Sequence, residues 1–151
     1  MMRIAGTEIN LKHKALEIYV SGCHGPHCPG CHNPELWDFN IGEPWEKVWP
    51  DIKIKILELN KNRLVDIIWL LGGEPAHQDF SEMCDFLQEL RKCNLPVVFW
   101  SRETRLPMQI WDLISYAKLG PYLKDGSEYV EPLFGITLAN REQKIVEASH
   151  G

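Results

Sequence analysis

The residues best suited to chemistry lie in one short segment, SGCHGPHCPGCHN (residues 21–33). Three cysteines and three histidines fall within ten consecutive positions there, and Cys23, Cys28 and Cys31 follow the spacing C-x4-C-x2-C. Glycines and prolines separate them, so the segment is predicted to be a loop. Thiolates and imidazoles are the ligands that zinc, haem iron and iron–sulfur clusters take from proteins. The segment therefore indicates metal chemistry or a disulfide.

Zinc, haem and a disulfide each explain part of this segment. A structural zinc site needs four ligands, so His24, His27 or His32 would have to join the three cysteines. The run CPGCH (28–32) matches the C-x-x-C-H pattern of c-type haem attachment, which leaves Cys23 unexplained. A disulfide framework is disfavoured because the chain has five cysteines, an odd number, and three lie together. Zinc stays open as an alternative.

An iron–sulfur cluster accounts for all the cysteines of the loop. Four-iron clusters are usually held by four thiolates, so three would leave one iron open to chemistry. Gly22, Gly25 and Gly30 would let the backbone wrap closely around the inorganic core. We expect the histidines of the loop to be exposed or to hydrogen-bond sulfur, and Cys84 and Cys93 to be packed thiols without a role.

The composition is that of an ordinary globular protein. The chain has 151 residues, 44% hydrophobic and 25% charged, which predicts one domain over residues 1–151. Its net charge of −5 excludes a basic surface that would gather nucleic acid or anionic lipid. No apolar run approaches the length of a membrane span, and the first residues lack a signal-peptide pattern. We therefore expect a cytoplasmic protein, with reduced cysteines and no nucleic-acid or membrane partner.

Strand and helix patterns alternate along the chain. Strands are predicted at 14–22, 66–75, 95–101 and 131–139, and a helix at 79–93. Residues 45–60 alternate in part like a strand, but a helix is favoured there, and 106–122 is predicted to be a helix running into a short strand or turn. Such alternation predicts an α/β fold with a mostly parallel sheet and crossover helices. A closed eight-stranded barrel usually takes at least about 200 residues. The chain can therefore form only part of such a barrel or an open sheet, and we predict a partial (open) α/β barrel with an N-terminal cluster-binding loop.

Three motifs follow predicted strands. They are the cysteine loop, GGEP (72–75) and SRE (101–103). In open parallel sheets, ligands bind outside the carboxyl ends of the strands. We therefore expect the three motifs to meet at one site.

The segment SGCHGPHCPGCHNPELWDF (21–39) resembles the cluster loop of radical S-adenosylmethionine enzymes. Within that family it is similar to the small activating proteins of anaerobic ribonucleotide reductase, which are glycyl-radical-enzyme activases. LLGGEP (70–75) is similar to the family's Gly-Gly-Glu-Pro segment. KLGPY (118–122) and ITLANREQKIV (136–146) resemble segments late in those activases.

Two of the departures from the family pattern fall at the expected site. The family's usual cysteine spacing is C-x3-C-x2-C, whereas Gly25–Pro26 makes the first interval one residue longer here. Ser101-Arg102-Glu103 stands where the family commonly has Tyr-Thr-Gly. A different protein substrate would account for the second departure.

The resemblance implies that Cys23, Cys28 and Cys31 hold a [4Fe-4S] cluster whose fourth iron binds S-adenosylmethionine. One electron would split the cofactor into methionine and a 5′-deoxyadenosyl radical, which would take a hydrogen atom from a glycine of a partner. That partner would be a glycyl-radical enzyme, anaerobic ribonucleotide reductase, and a small protein such as flavodoxin or ferredoxin would donate the electron. The alternatives are a compact radical enzyme acting on a small molecule, such as a modified-nucleoside precursor, and a zinc-stabilised interaction module.

The resemblance also implies cofactor contacts beyond the cysteines. Gly72, Gly73 and Glu74 would receive the methionine amino group, the glycines by close backbone approach and the glutamate by a charge-assisted hydrogen bond. Ser101 and Arg102 would meet the carboxylate or the ribose of the cofactor. No catalytic residue is assigned.

Other expectations concern residues near these motifs. Asn140 is expected to bind the cofactor, and with Gln143 it would contact the nucleoside or support the site. Trp37 and Phe39 are predicted to pack beneath the cysteine loop. Lys118 is either a site residue or a solvated charge, and we favour the solvated charge.

Overall fold

The computed structural model describes residues 1–31 and 33–149 and contains a central seven-stranded sheet. The strands are β1 (Arg3–Asn10), β2 (Ala15–Val20), β3 (Glu43–Pro44), β4 (Ile67–Gly72), β5 (Val97–Trp100), β6 (Tyr116–Leu119), β7 (Tyr129–Val130), β8 (Thr137–Leu138) and β9 (Lys144–Glu147). The helices are α1 (Trp45–Lys61), α2 (Phe80–Arg91) and α3 (Met108–Trp111), with 3-10 turns at Pro34–Leu36 and Pro75–His77. The central sheet has the order β3-β1-β2-β4-β5-β6-β9, and β7 pairs with β8 separately.

The centre of the sheet is parallel. Strands β2, β4, β5 and β6 run parallel, while β1, β3 and β9 pair antiparallel toward the two edges. The predicted α/β class and mostly parallel sheet are thereby confirmed. Within the described residues, β3 and β9 end the sheet without pairing with each other, so the sheet is open. The carboxyl ends of the four parallel strands meet at one edge of the sheet.

The two faces of the sheet bury different side chains. Along β2, Leu16, Ile18 and Val20 face the main core, which α1 and α2 complete. Glu17 and Tyr19 alternate with them and face the opposite side. A second, smaller core around the β7–β8 hairpin covers part of that side, and a cavity borders the rest.

Both long helices lie where the sequence predicts them. α1 continues through Pro50, its sixth residue, at the cost of one backbone hydrogen bond. Asp79 caps α2 as predicted, because its side chain accepts a hydrogen bond from the Glu82 backbone nitrogen at 2.9 Å. No helix in residues 1–31 and 33–149 is both long enough and apolar enough to cross a membrane.

Residues 106–122 contain a helix followed by a short strand, as predicted, but the helix is shorter than expected. α3 has only four residues, and the chain then enters the sheet as β6. In β6, Ala117 is buried against the helices while the next residue, Lys118, faces the cavity, and this period of two belongs to a strand. The strand predicted at 131–139 is also wrong in extent, because the β7–β8 hairpin occupies that part of the chain. Strands β1 and β9 are not predicted by the sequence analysis.

Candidate active site

A cavity of about 600 Å³ opens at the carboxyl edge of the parallel strands. The cysteine loop, the turn after β4 and the end of β5 surround it. The predicted site residues that border the cavity include Cys23, Cys28, Cys31, Gly72, Gly73, Glu74, Ser101 and Arg102. The structure therefore brings the three motifs together, as the topology predicts.

The first part of the cysteine loop is anchored to the segment that follows it. The backbone nitrogens of Gly22 and Cys23 donate to the carbonyl oxygens of Leu36 at 2.8 Å and Trp37 at 3.1 Å. Gly22 has a φ of +111°, and the Phe39 ring fills the space that a Cβ would need there. The predicted packing of Trp37 and Phe39 against the loop is present in the structure.

The described histidines of the loop contact aromatic rings. His27 stacks on Trp37 with ring centroids 3.9 Å apart, and its Nε2 lies 2.9 Å from the Cys23 carbonyl oxygen. The His24 ring lies 4.7 Å from the ring of Phe39. His32 lies outside the described residues. These contacts favour packing and hydrogen-bonding roles for His24 and His27.

The cysteines of the loop are free thiols that are partly exposed. Burial raises the pKa of the Cys23 thiol, and a backbone hydrogen bond at Gly25 and the charge of Arg102 oppose that rise. Among the described residues, no three His, Cys, Asp or Glu side chains are placed to hold one metal ion. Thiols spread along one cavity wall are a donor set that suits a four-iron cluster.

Glu74 connects the turn after β4 to both neighbouring loops. It is only 3% exposed, and its carboxylate accepts hydrogen bonds from the backbone nitrogens of Ala76 at 2.8 Å and Arg102 at 2.7 Å. Its own nitrogen donates to the Gly22 carbonyl oxygen at 2.8 Å. A carboxylate offers about four lone-pair positions, so acceptor capacity remains on the cavity side.

Protein packing explains why Gly72 and Gly73 are glycines. A Cβ on Gly73 would lie 2.5 Å from the Gly22 carbonyl oxygen and 2.6 Å from that of Leu36. Gly72 has a φ of +125°, and a Cβ there would meet the backbone of Val20. The missing side chains make room for the cysteine loop and β2, whereas the prediction from the family resemblance is that they make room for the cofactor.

Ser101 and Arg102 both border the cavity but form hydrogen bonds with different partners. Ser101 is buried at the cavity wall, and its Oγ accepts a hydrogen bond from the Glu103 backbone nitrogen at 2.9 Å. The hydroxyl hydrogen can still be donated to a ligand. The Arg102 guanidinium instead binds carbonyl oxygens of the cysteine loop, on Gly25 and Pro26.

Asn140 does not border the cavity in the described structure. Its Nδ2 donates to the carbonyl oxygens of Pro121 at 3.1 Å and Leu123 at 2.9 Å. Its Oδ1 accepts from the backbone nitrogens of Glu142 at 2.9 Å and Gln143 at 3.1 Å. These four bonds use the full capacity of the amide. The geometry favours a supporting role over contact with a cofactor, while Gln143 itself borders the cavity.

Lys118 lies at the site, and the expectation of a solvated charge is wrong. Its ammonium donates to the carbonyl oxygen of Gly120 at 3.1 Å, and the residue borders the cavity. Burial lowers the pKa of Lys118 from 10.5 to about 8, and the charges of Glu74 and Cys28 oppose that shift. The cavity is therefore bordered by a half-buried cation near the thiols.

Known proteins with similar sequences identify the chain. A family model described as a 4Fe-4S single cluster domain matches residues 13–111. The anaerobic ribonucleoside-triphosphate reductase-activating protein of Escherichia coli (strain K12) is 32% identical over 117 residues, 72% of this chain and 74% of that protein. The protein of the same name from Salmonella typhimurium has the same identity and coverage. The chain belongs to this family of activating proteins. The matched cluster domain spans all the loop cysteines and supports an iron–sulfur cluster over zinc or haem.

In this member of the activating-protein family, two polar residues of β2 also reach the cavity. Glu17 and Tyr19 border it, and the Tyr19 hydroxyl donates to the Glu17 carboxylate at 2.9 Å. Burial and that carboxylate raise the pKa of Tyr19 well above its usual value. Neither residue is among the site residues predicted from the sequence. Polar residues at these positions of a central strand could have indicated a site, because both faces of a parallel sheet are normally covered.

We expect Lys118→Met to stabilise the apoprotein of this family member near neutral pH. Lys118 has a pKa of about 8 in the folded protein, against an ordinary value of 10.5. Below about pH 8, folding therefore transfers a charged ammonium from water into the protein. Removing that charge outweighs the lost hydrogen bond to Gly120 and raises the free energy of unfolding by about 2 kcal/mol. Denaturant unfolding of both apoproteins measures the difference.

The pH dependence of Lys118→Met distinguishes a buried charge from better packing. Between pH 8 and 10.5 the unfolded wild type binds more protons than the folded protein, so its stability rises with pH. The advantage of the variant should therefore shrink across this interval. Lys61→Met, at an exposed position at the end of α1, is the control and should show no such change. An advantage that is constant with pH would contradict the assigned pKa.

Proposed function

We propose that this chain is a radical S-adenosylmethionine activase that generates a glycyl radical on anaerobic ribonucleoside-triphosphate reductase. Membership of the activating-protein family supports the activating role. The observation that carries the proposal is the meeting of free thiols with the Gly72–Glu74 turn at one cavity. A cluster held by three thiolates keeps one iron open, and the cavity has the volume of a typical cofactor pocket.

In this proposal Cys23, Cys28 and Cys31 hold the [4Fe-4S] cluster. When bound, the cluster would supply the one electron needed to cleave S-adenosylmethionine to methionine and a 5′-deoxyadenosyl group, and a hydrogen atom of a glycine of the partner would end up on that group as 5′-deoxyadenosine. The remaining residues of the site bind and orient the cofactor and keep water away.

Polar side chains on the cavity wall are suited to the methionine part of the cofactor. Glu74 has free acceptor capacity for the ammonium, with which it would form a charge-assisted hydrogen bond. Ser101 has a hydroxyl hydrogen for the carboxylate or the ribose, and Lys118 adds a positive charge beside them. Gly72 and Gly73 shape the backbone of this wall. We assign Asn140 a supporting role because its amide is fully bonded to protein.

Aromatic and aliphatic side chains form the apolar part of the wall. Trp69, Leu71 and Trp100 border the cavity, and the two indole rings lie 5.0 Å apart. An apolar wall excludes water and so protects a reactive intermediate from side reactions.

The open sheet suits a protein substrate. We propose that the single domain of residues 1–151 acts as a partial barrel, whose unclosed side admits the glycine loop of the reductase. A small electron donor such as flavodoxin or ferredoxin would reduce the cluster, and the reaction would take place in the cytoplasm without nucleic acid or membrane. The Ser101–Glu103 segment lies at the cavity and departs from the family pattern. Differences in partner specificity between this chain and its relatives would therefore arise there.

Anaerobic reconstitution tests the proposed function. The protein reconstituted with iron and sulfide should be brown and bind about four irons per chain. After reduction it should convert S-adenosylmethionine into 5′-deoxyadenosine and methionine, and mixing with the reductase should give an oxygen-sensitive glycyl radical signal. A colourless zinc protein without cofactor cleavage would contradict the proposal. Cofactor consumption that requires only a small substrate would favour the small-molecule enzyme.

We expect Glu74→Gln to weaken S-adenosylmethionine binding about tenfold when compared with the wild type at equal iron content, because the neutral amide loses the charge-assisted bond to the ammonium. Calorimetric titration of the reconstituted protein measures the affinity. Glu131→Gln is the matched control: Glu131 is also buried and accepts hydrogen bonds from the backbone nitrogens of Leu133, Phe134 and Ile136, away from the cavity. Equal losses of affinity in both variants would remove Glu74 from the cofactor site.

A further inference from the structure

Arg102 binds the cysteine loop inside its longer interval. Its Nη2 donates to the Gly25 carbonyl oxygen at 2.8 Å, and its Nη1 donates to the Pro26 carbonyl oxygen. The guanidinium is a rigid, planar fork of donors, and two successive carbonyl oxygens match it. The side chain is 19% exposed, so these bonds are partly shielded from water. Arg102 therefore holds the peptide groups that separate the first two cysteines of the loop.

The turn after β4 fixes the base of the Arg102 side chain. The Arg102 backbone nitrogen donates to Glu74 Oε1 at 2.7 Å, and the Glu74 nitrogen donates to the Gly22 carbonyl oxygen at 2.8 Å. The loop is thus connected to the turn directly at Gly22 and again through the arginine. One attachment is at Gly22, just before Cys23, and the other lies between Cys23 and Cys28. Together they restrict how the residues between these two cysteines can move.

His77 makes a second attachment to the same interval. Its Nδ1 accepts a hydrogen bond from the His24 backbone nitrogen at 3.1 Å, and its Nε2 lies 2.8 Å from Glu103 Oε1. An Nδ1 that accepts leaves the proton of the neutral ring on Nε2, from which it is donated to the carboxylate. Glu103 in turn follows Arg102 in sequence, and its nitrogen donates to Ser101 Oγ. One short segment after β5 therefore supports both attachments.

We propose that Arg102 and His77 are positioning residues that fix the interval between Cys23 and Cys28, so that both thiols face the cavity for cluster assembly. They act through the loop backbone and need no contact with the cluster itself. The interval has four residues, and backbone groups of three of them, His24, Gly25 and Pro26, are bound by these two side chains. The inference rests on the proposed function only for the identity of the group that the thiols hold.

Hydrogen exchange of the apoprotein tests this inference without a cluster. In Arg102→Ala, amides of residues 22–31 should exchange about tenfold faster, because the variant loses hydrogen bonds from a charged donor. Arg102→Lys should restore only part of the protection, since a lysine cannot bind two carbonyl oxygens in a fork. Arg105→Ala, at an exposed position on the same segment, is the control and should exchange like the wild type. Unchanged exchange in Arg102→Ala would overturn the inference.

Deletion of Pro26 distinguishes positioning of the interval from general stability. In the shortened loop, Arg102→Ala should no longer change the exchange of the remaining loop amides, because one of its two carbonyl partners is gone and the other is displaced. If Arg102→Ala accelerates amide exchange equally with and without Pro26, the proposed role of Arg102 at this interval would be overturned. On reconstituted proteins, Arg102→Ala should release iron to a chelator several-fold faster than Arg105→Ala. Failure of the wild type itself to bind iron would count against the proposed function and leave the exchange result standing.

Discussion

We expect Cys28→Ser to lose the iron–sulfur cluster almost completely. Cys28 is the middle thiol of the loop and borders the cavity with Cys23 and Cys31. Four-iron clusters are held by thiolates, and a serine hydroxyl is a much poorer ligand for them. With two thiols left on the loop, iron content should fall from about four per chain to background. Iron and sulfide analysis after anaerobic reconstitution measures this, and cleavage of S-adenosylmethionine should be lost with the cluster.

Cys84→Ser is the matched control for this prediction. Cys84 is also a free, partly exposed cysteine, but it lies on α2, where it packs against the main core. Its replacement should leave iron content and cofactor cleavage near those of the wild type. A Cys28→Ser protein that still cleaves the cofactor would show that the ligand assignment is wrong.

The centre of the fold could be predicted from sequence because burial gives it a strong pattern. β4 and β5 are continuous apolar runs, as expected for strands covered on both faces, and α2 has a clear cap and an apolar stripe. The outer strands carry a weaker signal. β1 contains Gly6 and is largely exposed or half-buried, and β9 has only four residues with exposed ends. β6 has a lysine at a cavity position, which breaks the apolar run of a central strand.

The site was predictable where residue type and spacing define the chemistry. The cysteines, Glu74 and Ser101 follow strands whose carboxyl ends must meet, so topology brings them to one cavity. Lys118 could not be predicted in the same way, because charged residues are mostly exposed and burial depends on the tertiary fold. The partners of Arg102 could not be predicted either, because they are backbone carbonyl oxygens, which every residue has.

Gly73→Ala should destabilise the apoprotein by about 3 kcal/mol. The new Cβ would lie 2.5 Å from the Gly22 carbonyl oxygen, 2.6 Å from that of Leu36 and 2.8 Å from the Gly22 nitrogen. All of these atoms belong to backbone, which cannot move aside as a flexible side chain can. The turn after β4 and the cysteine loop would have to separate, so cluster retention should fall as well. Denaturant unfolding of the apoprotein measures the first effect.

The apoprotein measurement decides between two reasons for a glycine at position 73. If position 73 is a glycine so that the cofactor can approach, Gly73→Ala should leave the apoprotein as stable as the wild type and weaken only S-adenosylmethionine binding. If protein packing is the reason, the loss of stability should appear without any cofactor. Gly6→Ala is the control, because a Cβ at Gly6 would have no atom within 4 Å and should change stability little. A Gly73→Ala apoprotein as stable as the wild type would show that protein packing does not require the glycine and would favour contact with the cofactor.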